Sequence, residues 1–435
     1  MEGDFVLSDL SISFKRKQSS RESKLSNSDV ILTLISSTTG IGFLVLPLSF
    51  ALSGWGLSII ICAIITVIQV NANYALIRAA SRLKVTNYPA LVAKAVDSNV
   101  SIATMHALLF LMNFATVVSY VLTILNIFSS TMLSLTKSKI HFMRNIGIMF
   151  VDISPTVLVI AINALLTLFV VFKNKFLNFS WLAFCSVCAM LFAVICVSAV
   201  SFLKRDPSII QTNMVFAKFQ GLPFSLYIFV FAFMNSPSLI ELYHERNKKN
   251  VRKFKRLLYI AFGLVLIIYI TMSMSAYYGA GDLLIGYQKT NILLAPYGDF
   301  TVGQIANIFV VIFLFVHTAL QFIPNKEMLM NWIGVSNRSS YVFHIFTVLV
   351  LVIAETLITL FVVKLKIQVK SLIMCIVIFF APIVGYHFPF FVFLKSFNGI
   401  RAEINRSNFY TILLFLGIFL HVMICMSWIL VLILF

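Results

Sequence analysis

The sequence predicts an all-α polytopic membrane protein of about eleven transmembrane helices. Three observations carry that prediction. The 435 residues are 60% hydrophobic and 11% charged, with a mean hydropathy of +0.99, far from the composition of a water-soluble domain. Apolar runs long enough to cross a hydrocarbon core of roughly 30 Å recur along the whole chain. Most of the 33 Lys and Arg fall in alternate inter-span segments, which is the asymmetry of the positive-inside rule.

In order, the spans lie near 30–54, 57–77, 101–134, 147–172, 179–203, 216–240, 257–280, 301–324, 341–363, 369–393 and 409–433. Residues 1–29 are polar and Ser-rich and lack the apolar core of a cleavable leader, so they are expected to form a disordered cytosolic tail before a transmembrane domain over 30–435. The basic clusters Lys15 to Lys24, Arg78 to Lys94 and Arg246 to Arg256 mark the cytoplasmic side. An odd number of spans then puts the carboxyl terminus outside. A net charge of +18 is a topology signal on this distribution, and no nucleic-acid partner is expected. The sequons at Asn99, Asn178, Asn337 and Asn405 fall in expected cytoplasmic segments, where no glycan is attached. Cys62, Cys185, Cys188, Cys196, Cys375 and Cys425 all sit in apolar runs and read as small buried side chains. A short interfacial helix is expected around Tyr88 to Ala95, with Pro89 near its start.

Two spans are interrupted. The first opens with Ser36-Ser-Thr-Thr39-Gly40-Ile-Gly42-Phe-Leu-Val-Leu-Pro47, and the sixth contains Phe231-Ala-Phe233-Met-Asn235-Ser-Pro237-Ser238. Within a bilayer a broken helix survives where protein or a ligand-binding cavity satisfies the freed backbone. The breaks head the two five-span halves, a placement that points to inverted repeats with a site at the midplane. Gly40 and Gly42 allow close approach, and the helix resuming near Ile41 presents unpaired N–H groups and a positive dipole end to an anion such as a carboxylate. Thr38 and Thr39 add hydroxyls. Helix packing alone explains the glycines but not the polar run beside them.

Gly40-Ile-Gly42-Phe-Leu-Val-Leu-Pro47 with Ser49-Phe50 and Gly54-Trp55 resembles the first-span signature of the amino acid/auxin permease family. Phe231 to Pro237, Leu242-Tyr-His-Glu-Arg246 and the basic run Lys248 to Arg256 resemble that family's sixth span and following loop, and Tyr277-Tyr-Gly279 and Asn291-Ile-Leu-Leu294 fit as well. The matches cover roughly residues 30–330; the last three spans agree in hydropathy only. The resemblance implies a LeuT-like fold of five plus five inverted repeats with an eleventh helix, and secondary active transport of amino acids by ion-coupled alternating access. It implies that backbone at Thr39, Gly40, Ile41 and Gly42 holds the substrate carboxylate, that carbonyls of Phe231, Ala232 and Phe233 receive its ammonium group, and that Tyr120 or Asn113 lines the side-chain pocket. Thr38 and Asn235 complete the expected substrate shell.

The coupling ion stays open between H+ and Na+. Sodium-coupled members carry an Asn where this chain has Ser36, paired with an eighth-span hydroxyl, here Thr318. Neutral oxygens of Ser36 and Thr318 suit sodium, whereas His317 and the intramembrane Glu355 suit a proton. No other metal and no cofactor is expected. Glu241 and Glu245 face Arg246 as candidates for an inner gate, and His106 and His421 show no partner in the sequence. A membrane enzyme is disfavoured, because no paired His/Asp motif or long catalytic loop is present. The alternative is a sensor that binds an amino acid without moving it. The expected partners are the amino acid and membrane lipid, with a monomer as the working unit in a plasma or vacuolar/endomembrane setting.

Overall fold

The computed structural model describes residues 25–96, 98–138, 140–172, 180–203, 214–235, 238–246, 250–286, 301–332, 341–366, 380–398, 400 and 403–434. The elements, in chain order, are α1 (Asn27–Thr38), α2 (Gly42–Ser53), α3 (Trp55–Leu83), α4 (Tyr88–Ala95), α5 (Asn99–Leu135), α6 (His141–Val151), α7 (Pro155–Phe172) and α8 (Ser180–Leu203). They continue as α9 (Leu222–Ala232), α10 (Leu239–Glu245), α11 (Val251–Ala280), the single turn α12 (Leu283–Gly286), α13 (Thr301–Trp332), α14 (Tyr341–Lys364), a π-turn at Ile383–His387, α15 (Phe388–Phe397) and α16 (Ile404–Leu434). Among the described residues six helices are long and apolar enough to cross a membrane, or eight if each bent pair is one span.

Both expected interruptions are present: α1 and α2 meet at 58°, and α9 stops six residues short of Ser238, the cap of α10. The fourth span differs from its expected start at 147. Residues 141–151 form a separate helix bent by 102° from the one that begins at Pro155, because Pro155 supplies an N1 residue and cannot continue α6. The interfacial helix α4 appears as expected, with the Asn87 side chain accepting from Ala90 N at 2.9 Å. His106 does have a partner, the Pro89 carbonyl at 3.1 Å, and so does His421, the ring of His387 at 3.2 Å. Residues 1–24, most of the expected tail, and 369–379, the first half of the tenth span, lie outside the described residues.

The broken pairs sit at the centre. Helix α9 packs on α2, α11 packs on α1, α2, α3 and α8, and α13 packs across α5 and α8, so the breaks face other helices rather than lipid. The outer faces read as expected for a bilayer. Ile60, Ile64 and Val67 of α3 and Phe346, Val350, Ile353, Leu357 and Phe361 of α14 recur at helical spacing and are exposed.

The outer ends of the broken helices are pinned as well. At the basic end Ser26 and Asp29 form a capping box at the start of α1, and Asp29 also accepts from the Ser180 hydroxyl at 2.7 Å. Leu25 N donates to the Glu245 carbonyl at 3.1 Å, giving the isolated bridge Leu25–Arg246. Arg246, 3% exposed, donates Nε and Nη2 to Asn27 Oδ1 at 3.2 and 2.9 Å and Nη1 to the Asn250 carbonyl at 3.4 Å. The guanidinium expected to meet Glu241 or Glu245 is thus engaged with the start of the first span. Arg246→Ala is expected to cost about 1.5–3 kcal/mol locally, the usual worth of a hydrogen bond to a charged group. Amide exchange at Leu25 and Val30 would then speed up while the α11 amides stay unchanged.

At the opposite end Gly54, at φ +83°, turns the chain so that Trp55 N and Gly56 N donate to the carbonyls of Val215 and Phe216 at 3.1 and 3.0 Å. Lys218 closes that end, donating to Asp282 at 2.7 and 2.9 Å and to the Ala51 carbonyl at 3.3 Å.

Candidate functional site

A helix that stops leaves carbonyls unpaired, and one that starts leaves N–H groups unpaired. At the first break both sets find side chains from neighbouring helices. The Ser36 carbonyl is met by the His317 ring of α13. The Thr38 carbonyl accepts from the Tyr269 hydroxyl of α11 at 3.1 Å. The Tyr120 hydroxyl of α5 lies against the Gly40 turn beside Ile41, at the start of α2. Gly40 is what lets these rings close in: a methyl there would overlap Tyr120 Oη and lie 2.9 Å from His317 Nε2. Tyr120 and His317 pack edge to face with centroids 4.8 Å apart.

At the sixth break α9 ends at Ala232, and its terminal carbonyl accepts from the same Tyr269 hydroxyl at 2.8 Å. One hydroxyl therefore lies between the carbonyl ends of both broken helices. The two helices also touch directly: a Cβ on Gly42 would come within 2.5 Å of Ala232 Cα. Ser236 and Pro237, the expected source of the second break, lie outside the described residues.

Between the breaks is a cavity of about 20 Å³, room for roughly one water. Ser37, Thr38 and the Gly40–Gly42 backbone line it from the first break, and Phe231, Met234 and Asn235 from the sixth. Met112, Asn113, Thr116 and Tyr120 of α5 and Gln321 of α13 close the remaining walls. Its electrostatics are bipolar. The amino end of α2 is positive, and the carboxyl ends of α1 and α9 are negative. The buried amides of Asn113 and Asn235 each leave Nδ2 without an acceptor. Such a site suits a ligand carrying an anionic and a cationic group a few ångströms apart, and the flexible Met112 and Met234 are the walls most able to yield to it.

Of the residues singled out in the sequence, Thr38, Gly40, Ile41, Gly42, Phe231 and Asn235 line the cavity. Thr39, Ala232 and Phe233 do not. Thr39 turns its hydroxyl back to the Ile35 carbonyl at 2.7 Å, Ala232 is covered by Gly42, and Phe233 packs against Tyr269 at 5.1 Å. The Thr38 hydroxyl likewise donates to Leu34 O at 2.7 Å, so both threonines contribute backbone rather than hydroxyls to the break. Tyr120 and Asn113 both line the cavity, with Tyr120 set against the α2 terminus.

The four coupling candidates lie outside the lining. Ser36 Oγ donates to Ser186 Oγ at 3.3 Å and Thr318 Oγ1 to Leu314 O at 2.7 Å. His317, 1% exposed, keeps Nδ1 unpaired, and Glu355, 1% exposed in α14, has neither carboxyl oxygen hydrogen-bonded. Sequence reasoning missed Tyr269, Gln321 and Met112. Tyr269 could have been found as the one polar tip in Ile267-Ile-Tyr269-Ile270, mid-span, and Gln321 as the residue one helical turn beyond His317.

A family model described as transmembrane amino acid transporter protein matches residues 23–434. The chain belongs to that family. No curated protein sequence matches it. Among solved structures, the transporter is similar to MhsT in complex with L-phenylalanine, at 13% identity and a TM-score of 0.62, covering 94% of this chain and 99% of that one. It is also similar to a Na+-coupled sialic acid symporter in a substrate-bound outward-open state, at 13% identity and TM-score 0.59 over 93% of this chain and 92% of that one. A third is the Eremococcus coleocola manganese transporter, at 12% identity and TM-score 0.58 over 90% and 84%. At these identities the likeness is one of fold, and it establishes the LeuT-like architecture with broken first and sixth spans.

Proposed function

We propose that the protein is a secondary active transporter that carries an amino acid by alternating access, with the zwitterion bound between the two helix breaks. The observation that carries this reading is the bipolar cavity: α2 offers its amino end to a carboxylate, while the Thr38 and Ala232 carbonyls lie opposite as acceptors for an ammonium group. In this reading the substrate carboxylate takes N–H groups at the start of α2, beside Tyr120, and the ammonium group takes the second lone pairs of the carbonyls that Tyr269 holds in place. MhsT, solved with L-phenylalanine, lends support through its shared fold and its amino acid ligand.

The coupling ion in this reading is a proton. His317 bridges the Ser36 carbonyl and the Gly40 turn, so its protonation state acts directly on the first break. Glu355 is a buried carboxyl with no hydrogen-bond partner among the described residues, the usual mark of a group that exchanges a proton. The second reading is sodium held by Ser36, Thr318 and backbone, favoured by their full burial beside the break.

Uptake of radiolabelled amino acids by purified protein in liposomes, with proton and sodium gradients imposed separately, tests both. A proton gradient alone should drive accumulation, and Glu355→Gln should abolish that accumulation, as loss of a proton-relay carboxyl implies, while leaving counterflow without a gradient intact. Accumulation driven by sodium alone would replace the proton reading with the Ser36–Thr318 one.

A further inference from the structure

At the basic end of the bundle, on the side away from the breaks, α15 and α16 part to leave a groove of about 480 Å³. Its apolar walls are Phe391, Leu394 and Ile404, and of these Phe391 and Ile404 are 45% and 49% exposed toward the bilayer. Lys395, Ser407 and Asn408 give its polar rim. The groove has the two-part character of a lipid site, an apolar slot ending in a cluster of hydrogen-bond donors. Past its mouth the exposed face of α16 continues as Ile412, Phe415 and Phe419, a track along which acyl chains can lie.

Charge decides which lipid. Phe397, which also lines the groove, carries the Arg78 and Arg82 guanidiniums 4.9 and 4.7 Å from its ring centroid. Next to them Tyr74 carries Lys255 at 4.8 Å and Arg406 at 5.6 Å. Glu403 pairs with two of these cations, giving one oxygen to Arg78 and the other to Arg406, each at 2.6 Å. Four cations, Arg78, Arg82, Lys255 and Arg406, thus gather around Phe397 and Tyr74 beside the groove. A choline headgroup brings its own cation there, whereas a headgroup of net negative charge complements the field.

We propose that the α15–α16 groove binds an acidic phospholipid, its phosphate at Lys395, Ser407 and Asn408 and its chains against Phe391 and Ile404. The site is independent of the amino acid cavity.

The test uses the full chain, delipidated in non-ionic detergent and then supplied with phosphatidylserine, phosphatidylcholine or inorganic phosphate. Retained lipid is read by native mass spectrometry and stability by the thermal unfolding midpoint. Phosphatidylserine should be retained in preference to phosphatidylcholine and should raise the midpoint, with no shift from inorganic phosphate. Lys395→Ala should lower phosphatidylserine retention about fivefold, as loss of one cation near an anionic surface implies, and Lys395→Arg should restore it. Thr411→Trp, which fills the groove without altering charge, should lower retention of both lipids and serves as the readout if Lys395→Ala does not fold. Equal retention of the two lipids, or undiminished phosphatidylserine retention in every variant, would overturn the proposal. An equal midpoint shift from inorganic phosphate would reassign the groove to a free anion.

Discussion

Gly42→Ala is expected to abolish amino acid uptake while the protein still inserts and purifies as a folded species. The added Cβ would lie 2.5 Å from Ala232 Cα and 2.7 Å from Ala232 Cβ. Neither atom is the end of a flexible side chain, so α2 and α9 must separate to admit it. Overpacking of this kind costs about 1–3 kcal/mol, enough to shift the balance between packed and displaced arrangements of the breaks by roughly ten- to a hundredfold. The strain falls at the crossing that defines the cavity and leaves the rest of the bundle untouched. Gly263→Ala on α11 is the matching control. Nothing lies within 4 Å of its added methyl, and in a helix interior the change favours the fold by about 1 kcal/mol. Uptake at the unmutated rate by Gly42→Ala, beside an equally active Gly263→Ala, would remove the α2–α9 crossing from the mechanism.

Tyr269→Phe is expected to raise the KM for the amino acid roughly ten- to a hundredfold with a smaller change in maximal rate. The substitution keeps the ring that packs on Phe233 and removes only the hydroxyl that serves the Thr38 and Ala232 carbonyls at 3.1 and 2.8 Å. Leaving a buried acceptor unpaired costs about 1–3 kcal/mol. The cost here falls on the two helix ends whose relative position shapes the ammonium side of the site. A structural role confined to folding would lower the amount of active protein and leave KM unchanged, so the split between KM and rate separates the two accounts.

The fold was legible because membrane insertion writes it into composition. A polar backbone in hydrocarbon forces long apolar helices, so nearly all the span positions follow from hydropathy alone. The start of the fourth span was missed because residues 147–151, the end of α6, are apolar enough to read as part of the crossing, and hydropathy carries no information about a 102° bend. The first break was legible in Gly40 and Gly42, whose residue type reports a backbone requirement directly. Tyr269 was not, since its role depends on a hydroxyl reaching two chain segments 231 and 37 residues away. Arg246 illustrates the same limit. Its sequence neighbours Glu241 and Glu245 point to local pairing alone, and nothing in the sequence tells that the fold also brings Asn27 to it from the far end of the chain. Thr38 and Thr39 show the reverse case, in which a local option, the carbonyl one turn back, takes the hydroxyl away from the site.

In the proposed mechanism the paired helix breaks form an amino acid site exposed alternately to the two sides of the membrane. Counterflow tests it most directly: liposomes holding the purified protein are preloaded with one unlabelled amino acid and diluted into a trace of the same labelled compound, for each amino acid in turn. Transient accumulation of label is expected for at least one amino acid, lost in Gly42→Ala and kept in Gly263→Ala. Saturable binding of an amino acid without counterflow for any of them would contradict it and identify the cavity as a sensing site.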